Sequence, residues 1–280
     1  MTLAIALSLA AALTYGVIDF VGGFASRTVT PWAIAVTGQV GGGLAMLVVA
    51  FASAGSVTAE HLGWAALAGA GSAAGTVYLY RGLASGRSTL VAPLSAVGAA
   101  AVPVFAAVVG GDRPPVLVWA GILVALPGIW LVAMSGGGEL REGTDLAAIR
   151  DGALSGLGFG VLFTAVGQIP ASAGFLPLAV QNGAAGVVTV AAAGALRQSW
   201  VPSTGRAWIG LPLGVLGAAG TAVFMTATQA GSLSITGVVV SLYPVFTIAL
   251  SILLLRERLG RPQGLGVLLC GVSVALIAAG

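Results

Sequence analysis

The chain has 280 residues, of which 11 are basic, all of them arginine, and 8 are acidic. Charged residues make up 7% of the chain, whereas a soluble domain usually carries roughly 25%. So few charges cannot cover a water-facing surface, which excludes an ordinary soluble globular protein, a disordered chain and a nucleic-acid-binding protein. The net charge of +3 comes from arginines at the ends of apolar segments and is no evidence for a nucleic acid partner.

Ten apolar segments follow one another, each near the roughly 20 residues that a helix needs to cross the hydrocarbon core. The runs are continuous rather than alternating, which excludes a membrane β-barrel. The first segment has no basic residue before Arg27, so we expect a retained helix rather than a signal peptide. The ten predicted transmembrane helices are 3–25, 32–53, 62–82, 89–109, 116–134, 152–169, 174–195, 207–229, 233–255 and 263–279.

One substantial polar stretch, 135–151, separates five of these segments from the other five. We therefore predict a first five-helix unit at 1–134, a polar connecting loop at 135–151 and a second five-helix unit at 152–280. Prolines lie inside several segments, among them Pro244 in the ninth, and each can kink its helix.

Motifs of the first half recur in the second half at offsets of 142 to 145 residues. They are 111–115 with Gly121 against 256–260 with Gly266, Ala-Ala-Gly-Thr at 73–76 and 218–221, Trp64 and Trp208, 15–17 and 159–161, and Gln39 and Gln181. Five matches in one order indicate an internal duplication. Because five is odd, two membrane-spanning units must be inverted relative to each other. We thus predict an all-α integral membrane protein, with ten transmembrane helices arranged as two inverted five-helix repeats, an architecture typical of secondary transporters.

Asp19 is the only carboxylate well inside a predicted span. A carboxylate in the hydrocarbon costs several kcal/mol unless it is paired, neutralised or next to water. Two functional interpretations follow, a proton-coupling site and a contact for a cationic group of a solute. The structural alternative is a residue near a helix end that reaches headgroup water or bonds to a neighbouring helix.

Uncharged polar side chains supply the other candidates for contact with a solute. Gln39, Gln181 and Asn182 carry amides, which both donate and accept hydrogen bonds and can hold a solute or join two helices. Gln39 and Gln181 are favoured because the repeat relates them. Tyr15 and Tyr243 lie deep enough in their segments to reach a cavity.

At the end of the third span, Tyr78 and Tyr80 are interpreted as residues of the aromatic belt, and Arg81 as an anchor that reaches the interface. Tyr78 and Tyr80 lie about 200° apart on a helix, so both cannot face one cavity. The single cysteine, Cys270, is expected to be a small buried apolar residue.

Residues for catalysis are lacking: there is one histidine, His61, no metal-binding cluster and no phosphate-binding Gly-Lys-Ser/Thr motif. We predict that the protein is not an enzyme and needs no cofactor or metal. Without an ATPase motif, an ion gradient or the solute gradient must supply the driving force.

Several stretches together form a recognisable pattern: 242–246 (Leu-Tyr-Pro-Val-Phe), 255–259 (Leu-Arg-Glu-Arg-Leu), 263–266 and 270–272, a weaker partner from 92–94 through Asp112-Arg113 to Gly121, and the opening 15–27. With these stretches the sequence resembles the EamA-type transporters of the drug/metabolite transporter superfamily over essentially its whole length. An acidic position of the family corresponds to Glu257 and, with Asp for Glu, to Asp112; we expect these acids to cap helices or pair with arginines.

The resemblance implies a multi-pass protein of the cytoplasmic membrane that exports amino acids, related metabolites or drugs by alternating access. Its expected partners are a small solute, the lipid bilayer and, under the coupling interpretation of Asp19, protons. Two alternatives stay open, a passive facilitator of the same fold and a non-transport scaffold or subunit. Ten helices can enclose a cavity in a monomer, and a dimer is compatible with the sequence as well.

Arginines are distributed unevenly between the two sides of the predicted membrane. Ten of the 11 lie in or beside the loops that follow odd-numbered segments, and only Arg113 lies in a loop that follows an even-numbered segment. The positive-inside rule therefore places the odd loops in the cytoplasm and both termini outside. The resemblance favours the opposite orientation, with the termini inside.

Overall fold

A computed structural model of the protein describes residues 1–26, 28–85, 88–133, 146–256 and 260–280, without the side chains at 84, 88 and 89. Eleven α-helices and two short 3₁₀ turns, but no strand, are found within these ranges. The helices are α1 (Thr2–Ala25), α2 (Pro31–Ala52), α3 (Ala59–Ala84), α4 (Ser88–Val109), α5 (Val116–Ala133), α6 (Leu146–Gly167), α7 (Leu176–Ala195), α8 (Gly210–Ala230), α9 (Leu233–Val240), α10 (Tyr243–Leu255) and α11 (Arg261–Ala279).

Nine stretches of the described chain are long and apolar enough to cross a membrane, with α9 and α10 counted together as one stretch of 23 residues. Of the predicted ten segments, only α3 falls outside this set. α3 has 26 residues, so its length is sufficient, but glycine, serine and tyrosine dilute its apolar run. The multi-pass, all-helical class is therefore confirmed, whereas the number ten remains a prediction.

Local sequence accounts for several helix starts. The Thr30 hydroxyl accepts a hydrogen bond from the Ala33 N–H at 3.3 Å, and Pro31 occupies the first turn, where its missing N–H does no harm. At the start of α3, Thr58 accepts from the His61 N–H at 3.3 Å, while His61 Nδ1 accepts from the Thr58 N–H at 3.2 Å. The single histidine is thus used in an exposed helix cap.

The predicted ninth helix, 233–255, is not one helix but two. α9 ends at Val240 and α10 begins at Tyr243. Pro244 explains the break, because it has no N–H to donate to residue 240 and its ring would clash with that carbonyl. By contrast, α4 keeps Pro93 and Pro103 within one continuous helix.

The predicted connecting loop, 135–151, ends too late. α6 begins at Leu146, so residues 146–151 are helical, and 135–145 lie outside the described residues. The charge of Asp151 suggested a loop, but its side chain is only 1% exposed and forms an ion pair with Arg81. A charge that has a partner inside the bundle does not mark a helix end.

Helix pairing exchanges the two halves of the chain. α1 packs against α8 as α6 packs against α3, and α2 packs against α8 as α7 packs against α3. α1 contacts α9 and α10 as α6 contacts α4, while α2 pairs with α7 and α5 pairs with α11. Each half therefore buries its helices mainly against the other half.

An apolar core on the α5–α11 side of the bundle also includes residues of α1, α4, α9 and α10. Cys270 lies in this core, 3% exposed and next to Gly128, which confirms it as a small buried residue. A second apolar core lies on the opposite side, where α1, α2, α3, α7 and α8 meet α6.

Candidate functional site

An interior cavity of about 860 Å³, including its mouth, lies between the two halves of the chain. Helices α1, α2 and α3 line it from the first half, and α6, α7, α8 and the start of α10 line it from the second. Its lining is largely apolar with a few polar side chains, which is typical of small-molecule sites. The cavity is therefore the candidate solute site.

All six residues that the sequence proposed for contact with a solute line this one cavity: Tyr15, Asp19, Gln39, Gln181, Asn182 and Tyr243. They come from four helices, α1, α2, α7 and α10, and lie up to 228 positions apart in sequence. The structure thus brings together the residues that the sequence singled out separately, while their roles remain a proposal.

Asp19 lies one turn after Tyr15 on the same face of α1, and its side chain is half-buried at the cavity wall. It makes no hydrogen bond or ion pair with any residue that the structure describes, although the phenols of Tyr80 and Tyr243 lie within its electrostatic field. Arg27, the nearest arginine in sequence, lies outside the described residues. Among the described residues, Asp19 therefore has no partner on a neighbouring helix, as the structural alternative would require.

Tyr15 is held in place from two sides. Its hydroxyl lies 2.8 Å from the Thr221 Oγ1, and its ring meets Phe163 edge-on at 5.6 Å. Because Thr221 donates its own proton to the Gly217 carbonyl at 2.9 Å, Tyr15 must be the donor to Thr221. This bond joins α1 to α8 at the cavity wall.

The three amides are not equivalent. Asn182 donates to the Leu178 carbonyl at 2.8 Å and to the Gln181 Oε1 at 3.3 Å, so its amino group is used within α7. Gln39 makes no hydrogen bond with the described residues and is only half-buried. Gln39 thus has its whole amide free to bind a solute, whereas Gln181 has its oxygen engaged by Asn182 and its amino group unbonded among the described residues.

Tyr80 lines the cavity and is 5% exposed, although it was not among the residues predicted to contact a solute. Its assignment to the aromatic belt was wrong, because its hydroxyl packs beside Gly22 of α1, where the absent side chain leaves room for it. Tyr78, on the other face of α3, lies beneath the Arg81 guanidinium at 4.6 Å. The expectation that the two tyrosines face different ways is therefore met.

Thr76 and Thr221 also line the cavity and were not proposed from the sequence. Both are the threonine of the duplicated Ala-Ala-Gly-Thr motif, at 73–76 and 218–221. A polar residue that recurs at equivalent positions of a duplicated motif was the signal that could have found them.

Arg81 does not reach freely toward the interface as predicted. Its Nε donates to the Asp151 Oδ2 at 3.1 Å and its Nη2 donates to the Oδ1, which makes a two-pronged ion pair. The Arg81 side chain is 35% exposed, and Arg150 adds a contact to Asp151 at 3.3 Å. The pair joins the end of α3 to the second turn of α6, and hence one half of the chain to the other.

Asp112 also serves a structural contact, since it accepts a hydrogen bond from Ser234 in the first turn of α9. This bond joins two side chains, so the expectation that Asp112 caps a helix or pairs with an arginine stays a prediction. Its counterpart in the second half, Glu257, lies outside the described residues.

The cavity has an uneven electrostatic character. Among the described residues that line it, Asp19 is the only acid and none is arginine, lysine or histidine. No group of three or more potential metal ligands occurs in the described part of the chain, so Asp19 has no partners for a metal site there. A second cavity of about 410 Å³, near the end of α2 and the start of α7, has Ser53 as its one polar side chain.

The model of the EamA-like transporter family matches residues 2–134 and 146–279, one match for each half of the chain. The chain belongs to the EamA-like transporter family. The resemblance noted from the sequence is thereby confirmed, and the two matched regions agree with the internal duplication. A multi-pass membrane protein of a transporter family is the conclusion that this membership and the apolar helices establish together.

A solved structure, described only as a crystal structure of a protein, has the same fold, with a TM-score of 0.76 over 98% of both chains. Its sequence is 16% identical to this EamA-like chain, so the likeness concerns the fold alone. No curated protein matches the chain.

Proposed function

We propose that this EamA-like protein is a secondary transporter that exports a small organic solute across the cytoplasmic membrane by alternating access. The observation that carries the proposal is the cavity that both halves line, with Asp19 as the one carboxylate among its described lining residues. A site between two repeats can open first to one side and then to the other when the repeats rock against each other.

The proposal includes two inverted repeats. In its support, the main contacts between the halves have counterparts in which the halves are exchanged, as a two-fold relation requires. Family membership and the predicted odd number of segments per half support the inverted orientation. Outward transport of amino acids, related metabolites or drugs is what the family resemblance favours.

The proposal also makes Asp19 the coupling residue, which binds and releases a proton during the cycle. A half-buried carboxylate without a protein partner in the described chain has the chemistry for this role. The described residues offer no comparable group in the cavity, since all other lining side chains are uncharged amides, hydroxyls, phenols or apolar groups.

Flux in proteoliposomes, measured with and without a proton gradient, tests the function. We expect gradient-driven solute uptake in the wild type and its loss in Asp19→Asn, which removes the charge but keeps the shape of the side chain. Glu60→Gln is the matched control, because Glu60 is an exposed carboxylate at the start of α3, away from the cavity.

Flux that runs down the solute gradient but ignores the proton gradient would identify a passive facilitator. Absence of flux for any solute would favour a non-transport component instead. Gradient-driven flux that is unchanged in Asp19→Asn would refute proton coupling through this residue.

A further inference from the structure

Resting on the proposed transport function, we infer that the solute is a small organic monocation, an amine or a quaternary ammonium ion, bound at Asp19 among the cavity's aromatic rings. A zwitterionic amino acid fits this cavity less well. The inference narrows the substrate class that family membership leaves open.

Charge balance favours a cation in this cavity. Asp19 supplies one negative charge, and none of the described lining residues supplies a positive charge. A monocation would neutralise Asp19, so that neither charge is left uncompensated in a site of low polarity. The α-carboxylate of an amino acid would instead enter a cavity that already holds a carboxylate and has no cation among its described lining.

Arg81, a described arginine next to the lining of the cavity, does not serve as the compensating cation. It follows the cavity-lining Tyr80, but its guanidinium binds both oxygens of Asp151 and stacks on Tyr78, on the other face of α3. Releasing it toward the cavity would leave Asp151, which is 1% exposed, without its main partner. Among the described lining residues, neutral donors such as the Gln39 amide remain for a solute carboxylate, and these offset a buried charge incompletely.

Aromatic side chains line the cavity together with the carboxylate of Asp19. Tyr15, Tyr80, Tyr243, Phe159 and Phe163 line the same cavity. Their faces attract cations, and quaternary ammonium groups are commonly recognised by such aromatic surroundings. The hydrogen bond from Tyr15 to Thr221 and the packing of Tyr80 beside Gly22 hold two of these rings in place before a solute binds.

Amines and their parent amino acids provide a direct test, because each pair differs only in the α-carboxylate. We would measure binding of tyramine against tyrosine, phenethylamine against phenylalanine and isoamylamine against leucine to the detergent-solubilised protein by titration calorimetry. We expect each amine to bind about tenfold or more tightly than its amino acid, and the preference to disappear in Asp19→Asn.

Two further variants keep the test independent of folding. Asp19→Glu retains the charge and should retain the preference for amines, while Glu60→Gln should behave as the wild type. The thermal unfolding midpoint of each variant shows whether it is folded.

Equal or tighter binding of the amino acids, or amine binding that Asp19→Asn leaves unchanged, would overturn the inference, as would the absence of binding by all three amines. The proposed transport function fails separately. Amine binding without any flux supports the inference and refutes transport, whereas flux of zwitterions without amine preference supports transport and refutes the inference.

Discussion

The close contact between α2 and α8 at the cavity can be tested by adding one methyl group, through a glycine-to-alanine substitution. Gly38 and Gly214 both line the cavity, and their backbones touch where the helices cross. A Cβ placed on Gly214 would overlap the Gly38 carbonyl oxygen and lie 2.5 Å from the carbonyl carbon and 2.7 Å from the Cα. The variant Gly214→Ala therefore has no room unless the two helices move apart.

The size of the effect follows from these distances. Carbon atoms pack at about 3.5–4.0 Å, so the new methyl group would be about 1 Å too close to Gly38. The obstructing atoms belong to a helix backbone, which no side-chain rotation can move aside. Overpacking of this kind costs about 1–3 kcal/mol of stability, and the separated helices would also widen the cavity.

Gly183→Ala is the matched control, since Gly183 is exposed on α7 and nothing lies within 4 Å of an added Cβ. In a helix, alanine in place of glycine there is favourable by about 0.5–1 kcal/mol. Thermal unfolding in detergent should rank Gly183→Ala at or above the wild type and Gly214→Ala below it. Equal midpoints for the two variants would show that the α2–α8 contact is looser than the structure has it.

Three further predictions concern the rest of the bundle. Arg81→Gln should destabilise the protein by about 1–3 kcal/mol in denaturant unfolding, less than the loss of a fully buried pair, because Arg81 is 35% exposed. Asp151→Asn should cost less, since it leaves only a partly exposed cation without a partner. The reverse order would contradict the pairing. Ser155→Ala should lower the free energy of unfolding by about 0.5–1.5 kcal/mol, because Ser155 donates to the Gly75 carbonyl at 2.9 Å. Thr189→Val should be neutral or stabilising, since the buried Thr189 hydroxyl has no partner among the described residues. Similar losses of stability in both variants would refute the distinction. A C-terminal reporter fusion should report an external terminus if the arginine distribution sets the orientation, and an internal one would refute that argument.

Membrane insertion, approximate helix positions and the internal duplication could be predicted from the sequence because each depends on composition and spacing along the chain. Asp19 could be singled out for the same reason, since a carboxylate inside an apolar run is costly wherever the other helices lie. The other five residues proposed for contact with a solute were found by similar reasoning, from their polarity and their depth within a segment.

Tertiary structure decided what a single segment does not encode, namely which side chains face each other. Tyr78 and Tyr80 are both tyrosines near the end of the third predicted span, so the sequence does not tell them apart. The packing of α3 against α1 and α6 directs Tyr80 into the cavity and leaves Tyr78 beneath Arg81. The partner of Asp151 lies 70 positions away, so its charge was taken for a loop marker although it is buried inside the bundle.

The small number of charges and their positions along the sequence therefore determined that the protein belongs in a membrane and that Asp19 is exceptional. Hydropathy acts on each segment alone, which is why it could be evaluated from the sequence. The convergence of Asp19 with aromatic rings and amides from both halves, in a cavity without a basic residue among its described lining, depends on contacts between distant segments. Such contacts arise only when the helices pack, and they are what gives the cavity its preference for a cation in our proposal.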